Sequence, residues 1–273
     1  MLNKTPVWKK AVLYTVLILI CAATLLPLVW MLSASLKLDK DVFRIPIEWI
    51  PSDPAWSNYQ RIWDQVPMLQ FTFNTTVITT VIQVFTCSFA AYGFAKCQFK
   101  GRNLLFLIYV ATIAVPWQVY MLPQYSMMNK FGLVDTHASF ILLHAFDAFG
   151  VFLLRQFCMG IPNELLEAAR IDGLSEYGIY RRIVLSQMGP SIATLVIFTF
   201  VTNWNDFMGP MIYLNSTELK TVQLGIRMFM GQYSSEYGLI MAASVVSLIP
   251  VIVVFLIFQK KFVQGIATSG LKG

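Results

Sequence analysis

Charge is scarce in this chain: only 12% of its 273 residues are Asp, Glu, Lys or Arg, roughly half the share of an average soluble domain. Hydrophobic residues make up 57%, more than a water-surrounded core can hide, so a soluble globular fold is excluded. The two histidines, His137 and His144, are too few for a metal cluster. The four cysteines, Cys21, Cys87, Cys97 and Cys158, offer neither zinc spacing nor a disulfide framework and read as small apolar packing residues. No G-x-x-x-x-G-K-[ST] occurs, so the chain has no usual cradle for ATP phosphates. H-E-x-x-H and G-x-S-x-G are absent too, which argues against a hydrolase. The net charge of +6 is scattered in short groups between apolar runs, without the basic, aromatic-laced face that nucleic acid requires.

What is present is a series of apolar stretches. Six of them, at about 11–32, 71–95, 104–122, 138–154, 192–214 and 239–258, are long enough to cross a hydrocarbon layer of about 30 Å, which takes about 20 helical residues. The expected fold is therefore all-α, a polytopic membrane helical bundle forming one domain, 1–273. Lys4, Lys9 and Lys10 precede the first stretch, but its apolar run exceeds a signal-peptide core and it reads as a retained span. Thirteen of the twenty basic residues fall at the N-terminus, in 96–103, in 155–191 and at the C-terminus. Basic loops resist translocation, so these segments and both termini are expected in the cytoplasm. Of the outer loops only 33–70 has real size, and Trp49, Trp56 and Trp63 suggest a compact cap anchored at the interface.

One cytoplasmic segment interrupts the apolar pattern. Pro162 and Asn163 start a short helix with Asn163 as N-cap, Glu164 and Glu167 lie where the helix dipole favours acids, and Gly173 is a left-handed stop. Ser175 caps a further turn, giving a helical segment at about 163–180. Such a helix is marginal alone and needs a surface to pack on. Ala168 and Ala169 offer a side where another backbone could approach closely. A connector lying on the membrane surface is the alternative from the residues alone.

The block Glu167, Ala168, Ala169, Asp172 and Gly173, followed after nine intervening residues by Ile183 and Leu185, resembles the EAA signature of permease subunits of bacterial ABC importers. Ser186 stands where that signature has proline. "SLKLDKDVF", "AAYGFAKCQFKGRN", "FLLRQF", "TNWNDF" and "FQKKFVQGIATSGLKG" extend the resemblance over nearly the whole chain, to the shorter six-span permease of the carbohydrate, maltose-type class. The resemblance implies that 163–180 is a coupling helix docking on a cytoplasmic ATPase dimer, which binds ATP and Mg; this chain binds no cofactor. It further implies a second homologous permease, an extracytoplasmic solute-binding protein, a sugar substrate and a place in the bacterial inner membrane. The tail 259–273, with Gly270, Lys272 and Gly273, resembles tails that reach the ATPase and is long enough for a flexible arm.

Polar residues within the apolar runs are candidates for the path. Asp147 and His144 lie three apart in the fourth run, and Asn203, Asn205 and Asp206 cluster in the fifth; such groups should face protein or water and not lipid. With Gln118 they could match sugar hydroxyls, while Trp117, Trp204 and Phe207 supply flat apolar faces. Bridging between helices is the other fate of these side chains. Pro116, Pro123, Gly209, Pro210 and Pro250 are expected to interrupt the third, fifth and sixth spans. A glycerophosphate or other polyol as solute, and a stand-alone secondary carrier, are the alternatives; a carrier would need no docking helix.

Overall fold

The computed structural model describes residues 6–231 and 235–270, and their side chains except those of 75–78 and 264–270. Among these residues the regular elements are all helices, with a lone bridge between Met230 and Ser235. In chain order the helices are α1 (Val7–Ser35), α2 (Asp39–Val42), α3 (Ser57–Gln65), α4 (Met68–Lys96), α5 (Arg102–Ala111), α6 (Trp117–Lys130), α7 (His137–His144) and α8 (Ala148–Met159). They continue with α9 (Asn163–Ile171), α10 (Glu176–Ile179), α11 (Leu185–Gln187), α12 (Gly189–Asn205), α13 (Met208–Tyr213), α14 (Val222–Met228) and α15 (Tyr237–Gly270). A π-turn, Tyr180–Val184, joins α10 to α11.

Three helices, α1, α4 and α15 through Val263, are each long and apolar enough to cross a membrane. Three further apolar segments exist as bent pairs of helices. Arg102–Ala114 meets α6 at 105°, α7 meets α8 at 48°, and Glu176–Gln187 meets α12 at 83°. The expected break at Pro116 is there: proline lacks an N–H and holds the residue before it extended, and Val115 has ψ 110. Pro123 and Pro250, by contrast, lie inside α6 and α15 without ending them. The fourth span, expected to be continuous, breaks at 145–147 with no proline; Asp147 ends α7's course by capping α8. The fifth breaks at Asp206 and Phe207, just ahead of Gly209 and Pro210, which belong to α13. Residues 259–270, expected as a flexible arm, continue α15 as helix to Gly270; Lys272 and Gly273 lie outside the described residues.

The chain forms two compact units, 1–67 with 226–248, and 68–225 with 249–273. In the first, α1 buries only Ser33, Ala34 and Ser35, so its apolar length needs an apolar surrounding. Its last carbonyls are the groups a helix end leaves unpaired. The buried Asn58 of α3 meets them, its Nδ2 donating to Ser35 O at 3.0 Å and Lys37 O at 2.9 Å. Ser35 Oγ meets Tyr59 OH at 2.7 Å, Arg61 pairs with Glu236 at 2.5 Å, and Asp39 accepts from Gly238 N at 2.8 Å. This polar lacing organises the 33–70 loop, while Trp49, Trp56 and Trp63 stay exposed.

The second unit packs α8 and α12 on α4. Gly150 makes the approach possible: a Cβ there would stand 2.9 Å from Cys87 Sγ of α4, from Leu195 Cδ1 of α12 and from Asp147 Oδ2. Cys87 and Cys158 are buried in this core, and all four cysteines are free. Beyond α6, Asp135 adopts φ 59, which a short polar side chain tolerates. Its Oδ1 accepts from Asn215 N and Ser216 N, both at 2.8 Å, and Ser216 Oγ donates to Oδ2 at 2.5 Å. These bonds, first those from Ser216, hold the Asp135 carboxyl below its ordinary range.

Candidate functional site

Two places in the second unit gather the polar residues singled out by the sequence. The first is the segment of α9 and α10. Helix α9 is two-faced: Leu166 and Ala169 are buried, in one cluster with Tyr92 of α4, Leu154 and Cys158 of α8, and Ile179 and Tyr180. Leu165, Glu167, Ala168 and Ile171 face outward, Ile171 with 87% of its surface exposed. The two alanines therefore part company, Ala169 to the bundle and Ala168 to the outside. Asn163 is not the N-cap. Pro162 is, and Asn163 Oδ1 instead accepts from Lys96 Nζ at 2.8 Å, the same ammonium reaching Ile161 O at 2.5 Å.

The helix ends as a Schellman turn, with Leu174 N bonding Ala169 O and Gly173 N bonding Arg170 O, both at 3.0 Å. That turn requires a left-handed residue, and Gly173 has φ 81. Ser175 Oγ then accepts from Gly178 N at 3.2 Å and caps α10. Arg170 Nε donates to Glu176 Oε1 at 2.8 Å, and Tyr92 OH donates to Glu176 Oε2. Glu176 thus ties α9 to α4. Its carboxyl is held below the ordinary glutamate range, chiefly by Arg170 and next by Tyr92.

The second place is a cavity of about 540 Å³, within the size range of small-ligand sites. It lies where the two broken spans meet α4 and α6, and its walls include Trp117, Asp147, Asn203 and Asp206. Four predicted residues are elsewhere. Gln118 is exposed outside it, Asn205 is exposed with Nδ2 on Val201 O at 2.9 Å, and Trp204 is buried against Phe200, ring centroids 5.5 Å apart. The physical reason is helical spacing: neighbours in sequence are about 100° apart around a helix, so Asn203, Trp204 and Asn205 cannot share one face. Phe207 also stays outside the lining.

Sequence reading missed Gln83, Tyr120, Phe146, Phe149, Phe198, Thr199 and Thr202, all of which line the cavity. Gln83 carried a usable signal, an amide in the middle of the apolar run of α4. Here its Oε1 accepts from Asn203 Nδ2 at 2.9 Å, while the buried Asn203 Oδ1 has no partner. Both cavity carboxylates are turned onto backbone. Asp147 accepts from Phe149 N at 3.2 Å and Gly150 N at 2.8 Å, at the N-terminus of α8; Asp206 Oδ1 accepts from Gly209 N at 3.2 Å. His144 Nε2 meets Asp206 Oδ2 at 3.1 Å and His144 Nδ1 meets Phe140 O at 3.0 Å. Among the described residues no cluster of His, Cys, Asp and Glu suits a metal ion.

Discontinuous helices around a polar cavity in an apolar bundle are the build of a transporter's membrane subunit. Residues 83–268 match the family described as binding-protein-dependent transport system inner membrane component, and the chain belongs to that family. It is a multi-pass membrane protein, the permease subunit of an ABC importer. It is 33% identical over 253 residues to the arabinooligosaccharides transport system permease protein AraQ of Halalkalibacterium halodurans, covering 90% of this chain and 91% of the relative. It is 30% identical to the sn-glycerol-3-phosphate transport system permease protein UgpE of Salmonella typhimurium, covering 94% and 95%. Its fold matches a chain in the crystal structure of a bacterial ABC transporter involved in the import of the acidic polysaccharide alginate, with TM-score 0.82, 23% identity and coverage of 96% and 99%.

Proposed function

We propose that this chain forms half of the translocation pathway of an ATP-driven carbohydrate importer and that α9 is its coupling helix. A second homologous permease completes the pathway, an extracytoplasmic binding protein delivers the sugar, and a cytoplasmic ATPase dimer carrying ATP and Mg drives the cycle. In this reading the chain crosses the membrane six times, with both termini and the segment 163–180 in the cytoplasm. The sugar assignment draws on relatives such as AraQ, named for arabinooligosaccharides.

The observation that carries the coupling role is the division of α9. Leu166 and Ala169 sit in the bundle's core, while Glu167, Ala168 and Ile171 face outward. A helix anchored on one side and open on the other transmits a push at its outer face to the spans it is packed on, because packed cores shift as units. Glu176, joined to Arg170 and to Tyr92, stiffens that link to α4, and α8 and α12 move with α4 through the shared core. The cavity then opens alternately to the two sides about its broken helices.

The test is substitution on the outer face. Ala168→Trp and Ile171→Asp leave the core untouched, so the subunit should insert normally while ATPase recovery with the complex and solute uptake both fall by at least about tenfold, as for a central interface residue. Wild-type uptake with both substitutions removes the coupling role.

A further inference from the structure

Relatives of this chain are named for uncharged oligosaccharides and for a phosphate ester alike. We infer that the cavity of this subunit passes an uncharged solute and turns away phosphate- and carboxylate-bearing ones, an inference that rests on the importer reading above.

Three features of the lining carry it. First, among the described residues no Lys or Arg lines the cavity, so an anion entering this half finds no lysine or arginine to offset its lost hydration. Second, the N-terminus of a broken helix is where discontinuous transporter helices receive anionic groups, and here the chain's own carboxylates fill those positions. Asp147 takes the Phe149 and Gly150 N–H groups at the start of α8, and Asp206 takes Gly209 N. A solute carboxylate or phosphate would have to displace a covalently tethered carboxylate and then sit beside it. Third, the lone imidazole offers no free donor. His144 Nδ1 is engaged by Phe140 O and Nε2 by Asp206.

What remains open to a solute is neutral. Asn203 and Thr199 are buried in the wall, Asn203 Nδ2 on Gln83 Oε1 and Thr199 Oγ1 on Leu195 O, whereas Tyr120 lines the cavity with an exposed side chain. Its phenolic O–H can both donate to and accept from a sugar hydroxyl. Trp117 is held in place by its Nε1 donating to Gln124 Oε1 at 2.8 Å, and its ring supplies the flat face on which the C–H side of a sugar can rest. An exposed hydroxyl beside a fixed aromatic ring, with no Lys or Arg among the described lining residues and the imidazole engaged, describes a path for a neutral glycoside.

The test uses the whole importer in liposomes, with its binding protein, offered a pool of neutral pentose and hexose oligosaccharides, sn-glycerol 3-phosphate and oligouronates. ATP-dependent accumulation of neutral members alone is the expected result, and accumulation of a phosphate or uronate would overturn the inference while leaving the importer reading intact. No ATP-dependent accumulation of any member would remove the importer reading itself. Thr202 lines the cavity and is exposed, so Thr202→Lys and Thr202→Glu keep the fold while adding opposite charges. For an uncharged solute the two variants should transport within about threefold of each other, whereas an ion would be separated by more than about tenfold in opposite directions. The second pattern also contradicts the inference.

Discussion

In the segment of α9 and α10 the charged side chains pair with one another at the outside of the fold, as Arg170 does with Glu176. Around the cavity they are turned onto the backbone, as Asp147 and Asp206 are. The difference follows from the surroundings. At an exposed edge water solvates a charge, so an ion pair there chiefly shapes a surface and contributes little stability. Inside an apolar bundle a broken helix leaves the N–H groups of its new start without helical partners, and a carboxylate is the strongest cap the chain can offer them. The same residue type is thus part of a handle in one place and part of the frame in the other.

Substitutions at three places sharpen or break that contrast. The largest effect is expected from the handle's anchor: Leu166→Ala removes a buried side chain from the shared core and should cost about 2–5 kcal/mol, read as a lowered melting temperature of the purified importer and as loss of ATPase association. A melting temperature unchanged by it would mean that α9 is not seated in the core. Next comes the frame. Asp147→Ala leaves two N–H groups of α8 unpaired and should destabilise by about 1–3 kcal/mol, whereas Asp147→Asn keeps an accepting oxygen and should recover most of that. If the asparagine variant melts as low as the alanine one, the charge and not the cap is what matters there.

The smallest effect belongs to the exposed pair. Glu176→Gln should cost no more than about 1 kcal/mol, yet it should weaken the coupling of ATP hydrolysis to uptake, and exchanging the pair as Arg170→Glu with Glu176→Arg should restore part of it. The folded Glu176 carboxyl titrates below its ordinary value because Arg170 and Tyr92 bond its charged form. Its contribution is therefore complete above the unfolded glutamate pKa of about 4.3 and fades as pH falls through the lower, folded value. Measured across that acid range, the wild type should lose coupling and Glu176→Gln should not change further.

These regions were unequally legible. Gly173 and Ser175 announced their turn and cap because each rests on local backbone chemistry, which sequence spacing records. The division of Ala168 from Ala169 followed from helical geometry once the inward face was known, and that face depends on the contacts of α4 and α8. Asn163 misled: its side chain is taken by Lys96, a partner 67 residues away. In the cavity, intramembrane polarity marked Asp147, Asn203 and Asp206, and proline marked the break at 116. The break at 145–147 left no proline to read. Gln83 and Thr202 are placed at the cavity by tertiary packing, and Trp204 and Asn205 were grouped with Asn203 by proximity in sequence although a helix sends them to different faces.

The coupling role of α9 is open to one direct measurement. Ile171, the most exposed apolar residue of α9, can be replaced by a photo-reactive phenylalanine analogue in the assembled importer, irradiated in intact membranes with and without ATP. A cross-link to the cytoplasmic ATPase subunit, changing in yield with nucleotide, is the predicted result. A cross-link only to lipid, or to a protein on the other side of the membrane, would contradict it.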